Sequence, residues 1–386
     1  MNMKLKMQRV SQQARTSNQQ SKFQITNGMF IAMMVNLIFV KAIGVTQGVL
    51  ARSIGQDMWI TTMLGMFQGM VVIYITYLVL RKTPDLDFMS LAQRLLGKWF
   101  GKLIALVIFA FFMAGFGPVM LTFVYHIQDY FLPEAPLILF FVAPLLVGAL
   151  GCYYGLEVMA RLALVGMLFI FLLNVLIIIG STNEFDIRNL LPVLENGFPR
   201  TFMASLNYDT DWAFATMLAA IVMPSLKNAG KIGGTTGLIG IGASGLLTMI
   251  WSILEGAVLS SEVTSQYTVS CMKLARNAHI GTFLQRYEMI MIALYSIPIL
   301  FEVMFFIYAT SVCATRIFGL KSNRSMIPIV SVILGTYGYW IVGDHYRAIN
   351  YLEETWPRIA LPIAFGLPVL LLILRLMLGK KLNKQS

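Results

Sequence analysis

The chain has 386 residues, 58% hydrophobic and only 12% charged, with a formal net charge of +11. Soluble domains carry about 25% charged residues, so most of this surface is not built for water, and a bilayer is the solvent that fits. Three scattered cysteines (Cys152, Cys271, Cys313), three distant histidines (His126, His279, His345) and no HExxH, GxSxG or GxxxxGK[ST] sequence exclude the usual metal, redox, hydrolase and nucleotide patterns, so neither a cofactor nor an enzyme is expected.

Residues 1–24 are polar and basic, with no apolar core and no small-residue cleavage site, and they read as a cytoplasmic tail and not as a signal peptide. A helix needs about 20 apolar residues to cross the hydrocarbon. Ten stretches qualify in chain order: 26–50, 58–80, 103–131, 136–154, 158–181, 201–223, 232–259, 287–313, 326–343 and 357–379. The fourth and ninth lie near the lower length limit. The expected fold class is an all-α integral membrane protein of ten transmembrane helices, with one membrane domain over residues 25–380 and a cytoplasmic tail at 381–386.

Orientation follows from Lys and Arg in the connections. With the N-terminus inside, the inner segments hold 19 of these residues, among them Lys98, Lys102, Lys227, Lys231 and Arg316, and the outer segments hold 8. Both termini are therefore expected in the cytoplasm. The net positive charge sits at span ends, which points to anionic membrane lipid as its partner and not to nucleic acid.

Several spans carry polar residues at membrane depth. In the first, Gly44, Thr46, Gln47 and Gly48 interrupt an apolar run. Two readings stand: the backbone opens to a ligand, or Gly44 and Gly48 form a small-xxx-small packing pair. In the sixth, Asn207–Trp212 includes Asp209 and Asp211, and acids within a span are costly and usually functional. Residues two apart lie about 200° from each other on a helix, so an unwound segment is expected if both acids face one cavity. Alternatively, the span begins at Trp212 and the acids belong to the outer loop. Lys41 is the one cation placed deep in a span, about 21 Å from the inner face against about 18 Å for Asp209, depths that suit a pair. In the eighth span Glu288, Tyr295 and Glu302 are seven apart and share one stripe. Glu302 is deep enough to face protein or water, and Glu288 lies near the outer interface. The six glycines between Gly233 and Gly245 read as tight helix packing.

Four segments in order resemble the spore germination permease family, within the amino acid–polyamine–organocation superfamily. They are Leu96-Gly97-Lys98-Trp99-Phe100-Gly101-Lys102, Gly155-Leu156-Glu157-Val158-Met159-Ala160-Arg161, Leu191-Pro192-Val193-Leu194-Glu195-Asn196-Gly197 and Phe283-Leu284-Gln285-Arg286-Tyr287-Glu288. The sixth span departs from that family, which commonly has a Gly-Glu pair about where Tyr208–Trp212 stands here. The resemblance implies a LeuT-like five-plus-five inverted repeat with broken first and sixth helices around a central site. It implies the B subunit of a nutrient germinant receptor in the spore inner membrane, working with an A-type and a lipoprotein C-type subunit on an amino acid such as L-alanine, or a nucleoside. An ion-coupled amino acid transporter on the same fold is the competing reading.

The expected ligand contacts are Gly44, Thr46, Gly48, Asp209, Asp211 and Glu302, with Lys41 as charge partner. Glu157 and Arg161, on a short inner connection, are expected at a subunit interface or, being four apart, as a helix-start pair.

Overall fold

The computed structural model describes residues 24–281 and 286–382, with only the backbone of Asp209 and residues 379–382. Residues 1–23 of the expected N-terminal tail, Phe283 to Gln285 of the fourth segment and residues 383–386 lie outside the described residues.

The chain enters as an extended stretch and turns into helix α1 (Asn27–Lys41), started by Thr26, whose hydroxyl accepts from the Met29 amide. A five-residue π turn, Ala42–Thr46, links α1 to α2 (Gln47–Ile54). Gly55, at φ +67°, reverses the chain into α3 (Met58–Leu80). The amphipathic α4 (Phe88–Leu96) then leads through Gly97 into α5 (Lys98–Gln128). Next come α6 (Leu137–Tyr154), α7 (Leu156–Ser181), α8 (Phe198–Val222) and α9 (Ala229–Leu254). A second π turn (Glu255–Leu259) leads to the short α10 (Ser261–Gln266) and α11 (Ser270–Asn277). The chain closes with α12 (Tyr287–Phe318), α13 (Ile327–Val342), α14 (His345–Asn350), a third π turn (Tyr351–Thr355) and α15 (Trp356–Leu382).

Each of the ten apolar stretches is helical. Seven helical stretches among the described residues are long and apolar enough to cross a membrane, the first of them, Asn27–Leu80, bent back on itself at Gly55. Ile327–Val342 is apolar but has 16 residues, and Phe198–Val222 carries polar residues through its middle.

α1 is the axis. Every side chain from Ala32 to Lys41 is buried, because α7, α8, α9 and α12 all pack against it. A helix apolar on all sides can only be a core helix or a membrane span. α3 lies between α8 and α9, and the glycine-rich span does serve close packing: Gly234 faces the Tyr77 ring and Gly245 faces Met66, each with no room for a methyl group. By contrast, α6 and α7 expose Leu146, Leu150, Leu168 and Phe171, an outer wall suited to lipid.

Ile25 pairs with the segment just after α8: its amide donates to the Ser225 carbonyl at 2.7 Å, and its carbonyl accepts from Lys227 at 3.0 Å. The start of α1 is thereby fixed beside the end of α8, and the two helices run antiparallel.

Candidate functional site

The first helix is interrupted as expected, but by widening and not by unwinding. On an α-helix residues five apart lie about 140° apart. The i to i+5 bonding of the π turn stacks Thr46 over Lys41 instead, so both side chains reach α8. The Lys41 ammonium donates to Thr210 Oγ1 at 2.9 Å and forms an ion pair with Asp211 Oδ1. The Thr46 hydroxyl donates to Asp211 Oδ2 at 2.9 Å. The Phe214 ring lies beside the ammonium, its centre 6.0 Å away. Lys41 is 1% exposed and Asp211 0%, so this is a fully desolvated pair, and each carboxylate oxygen has a donor.

α8 corrects two expectations. It is a continuous helix from Phe198 to Val222, with no unwound segment at Asn207–Trp212 and no start at Trp212. Asp211 is therefore inside the helix bundle and not in an outer loop. Asp209, on the same regular helix, lies about 200° round from it, and its side chain lies outside the described residues. The pairing also differs from the depth match: Lys41 meets Asp211. Lys41 is 16 residues beyond Ile25, and Asp211 is 15 before Leu226, the residue bridged to Ile25. Two antiparallel helices of equal rise bring those positions level.

Glu302 comes from α12. It is 0% exposed, neither carboxyl oxygen has a hydrogen-bond partner among the described residues, and Lys41 and Asp211 are the charged groups close enough to act on it. Tyr295, two turns earlier, donates its hydroxyl to the Val40 carbonyl and stacks on His126 at 4.7 Å between ring centres. Glu288, the third member of that stripe, is buried beside Arg286 at 3.2 Å.

Gly44 in the π turn and Gly48 in α2 both sit against neighbours that fill the space beside them. A side chain on Gly44 would meet Thr122, His126 and Tyr295, and one on Gly48 would meet the Tyr267 carbonyl. A ligand resting on either backbone needs those neighbours to move. Glu157 and Arg161 form an exposed pair at 2.7 Å on the first turns of α7.

A narrow cleft connects the pair to the surface, lined by Lys41, Thr46, Asn207, Thr210 and Glu353 among others. Its free volume is about 10 Å³, roughly the room of one water molecule. At the mouth Arg52 bonds Glu353 at 2.6 Å, both one-third exposed, and also donates to the Ser265 carbonyl at 3.1 Å.

Sequence reading missed a second polar row. Ser252 donates to Gln47 Oε1 at 2.9 Å and lies 2.8 Å from the Thr62 hydroxyl. Next to it Ser270 donates to buried Glu255, and His126 Nε2 lies 3.2 Å from Cys271 Sγ. Glu255 stands inside the stretch 232–259, so the argument applied to Glu302 would have found it. Sequence reading also passed over Arg375, four residues from the end of the last stretch, which donates to the Val79 carbonyl and, at 3.0 Å, to the Thr83 hydroxyl.

Comparison with known proteins agrees with this architecture. A family model described as spore germination protein matches residues 24–337. Spore germination protein YndE of Bacillus subtilis (strain 168) is 26% identical over 322 residues, 82% of this chain and 86% of that protein. Spore germination protein KB of the same organism is 24% identical, over 73% of this chain and 78% of that protein. Among solved structures, a Na+-coupled sialic acid symporter in a substrate-bound outward-open state superposes with a TM-score of 0.62. It is 9% identical and covers 88% of this chain and 78% of the symporter, so what the two share is the transporter fold.

Proposed function

The chain belongs to the spore germination protein family, and from that premise we propose that it is the B subunit of a nutrient germinant receptor in the spore inner membrane. It has ten spans in a five-plus-five inverted repeat with both termini in the cytoplasm, a reading supported by the antiparallel α1 and α8, by the inside excess of Lys and Arg, and by the fold shared with a symporter. It works with an A-type and a lipoprotein C-type subunit, and exposed Glu157 and Arg161 belong to the face that meets them.

The ligand is a small germinant, an amino acid such as L-alanine or a nucleoside, held between the first π turn, α8 and α12. The observation that carries this is Glu302: a fully buried carboxyl whose two oxygens have no hydrogen-bond partner among the described residues, beside an acid that already has its counter-ion. Glu302 takes the ligand's ammonium or hydroxyl, because a charge-assisted hydrogen bond in a dry site is roughly twice as strong as a neutral one. Asp211, held by Lys41 and Thr46, keeps the two helices in register and engages the ligand when the cleft opens. Thr46 is a further candidate contact; Gly44 and Gly48 join it only if the neighbours that fill their space move aside, and Asp209, about 200° round α8 from Asp211, only if that helix opens or turns.

The test is a germinant dose–response on spores carrying Glu302→Gln or Asp211→Asn. The dose for half-maximal germination rises about tenfold or more, the equivalent of about 1.4 kcal/mol. Glu302→Gln does this at normal subunit levels, whereas Asp211→Asn leaves Lys41 buried without its counter-ion and also lowers the level, so its dose is compared at matched receptor level. Wild-type doses in both variants sink the site. In the same spores Glu157→Ala or Arg161→Ala lowers receptor abundance. The fold shared with a symporter supports a second reading, an ion-coupled amino acid transporter. Uptake of labelled alanine by vesicles holding this protein alone would favour it.

A further inference from the structure

The segment Leu96–Lys102 has no part in the site above, yet its glycines and lysines build a basic cleft. Gly97, at φ +95°, turns α4 straight into α5. Gly101 lets the two helices touch, because a side chain there would run into Gln93 and the Met89 carbonyl. Lys98 and Lys102, four apart, then fall on one face of α5 and line a cleft with Arg316 from the last turn of α12. The cleft encloses about 180 Å³ and has no acidic residue in its lining. Asp87 lies behind it and holds Arg316 at 3.3 Å. Neither lysine has a carboxylate partner among the described residues, and two like charges one turn apart repel, so the arrangement gains nothing for the isolated chain.

The cleft also stands at the level where headgroups meet hydrocarbon. Trp99 is 85% exposed, and the Lys102 ammonium lies 5.8 Å from its ring centre. Tryptophan collects at the membrane–water interface. On the same helix Leu103 and Leu106 are exposed, where only acyl chains would cover them. Basic clefts between helices at this depth suit anionic headgroups, and a free phosphate would make no use of that apolar wall.

We propose that Lys98, Lys102 and Arg316 form a specific site for the phosphate of an anionic phospholipid, whose acyl chains lie along α5 over Trp99 and Leu103. The site is separate from the Lys41–Asp211 pair and does not depend on its role.

The full chain in neutral detergent is mixed with phosphatidylglycerol or phosphatidylcholine, and bound lipid is counted by native mass spectrometry. Phosphatidylglycerol stays bound and phosphatidylcholine does not. Lys98→Gln with Lys102→Gln weakens that binding roughly tenfold or more, since each basic residue near an anionic headgroup contributes about 1 kcal/mol. Lys98→Arg with Lys102→Arg keeps it, and so does Lys227→Gln with Lys231→Gln at another basic site. Should the double glutamine variant fail to fold, Arg316→Gln alone must still weaken binding. The proposal is overturned if the glutamine variants bind phosphatidylglycerol as the unaltered chain does, or if the Lys227 and Lys231 variant loses as much. Displacement of the lipid by millimolar inorganic phosphate would overturn it too, by making this a free-phosphate site.

Discussion

At the scale of single residues, Lys41 and Asp211 pose a problem of cost. Removing two charges from water takes several kcal/mol per ion, and their attraction repays it only when the remaining hydrogen-bonding positions are filled. Here Thr46 and Thr210 fill them. Breaking such a pair from one side costs about 3–5 kcal/mol, whereas replacing both partners by apolar residues is often neutral. Lys41→Met should therefore reduce the amount of folded protein in the membrane, and Lys41→Met combined with Asp211→Leu should restore it, both read by immunoblot. If the double variant is restored in level but silent to germinant, the pair serves function and not stability. A double variant as poorly accumulated as the single one would mean that the helices need the charges to pair at all.

Among the elements, the π turn Ala42–Thr46 decides how the first helix meets its neighbours. It aims Lys41 and Thr46 at α8 and turns Gly44 toward Thr122 on α5 and Tyr295 on α12. Gly44→Ala separates the two readings of that glycine. A methyl group forced into a filled space costs about 1–3 kcal/mol, so the packing role predicts a lower thermal midpoint of the purified protein in detergent and a lower level in the membrane. A ligand-contact role predicts a normal midpoint and a shifted germinant dose. The motif Gly44, Thr46, Gly48 was visible in the sequence as an interruption. Whether a helix opens or merely widens at such a place depends on what fills the gap, and here Tyr295, which also bonds the Val40 carbonyl, comes from more than two hundred residues away.

For the whole molecule, the proposed ten-span topology is tested by the side of the membrane on which its connections lie. Reporter fusions at Lys231 should read inside the cell and a fusion at Asn183 outside, because the inner connections hold most of the Lys and Arg. An outside reading at Lys231 would overturn the ten-span arrangement. The same orientation puts Lys98, Lys102 and Arg316 on the cytoplasmic leaflet, where anionic lipid attracts them, and Arg52 with Glu353 at the outer end of the cleft.

The sequence by itself determined the solvent, the helices and the family. Hydrophobicity summed over about 20 residues is a local quantity, and the four segments carrying the family resemblance are read without any contact. Buried ionisable residues were also legible as anomalies, which is how Lys41, Asp211 and Glu302 stood out. What only the tertiary structure decided is which of them meet. The unbroken α8 removes the expected opening and presents Asp211 to Lys41: antiparallel register brings helices about 170 residues apart level at this point, and the face of the helix selects Asp211. The surroundings of the Glu302 carboxyl, the Gln47–Ser252–Thr62 row and the cleft beside Lys98 likewise depend on residues distant in sequence. Periodicity along one helix gives the direction of a side chain and cannot say what stands opposite it.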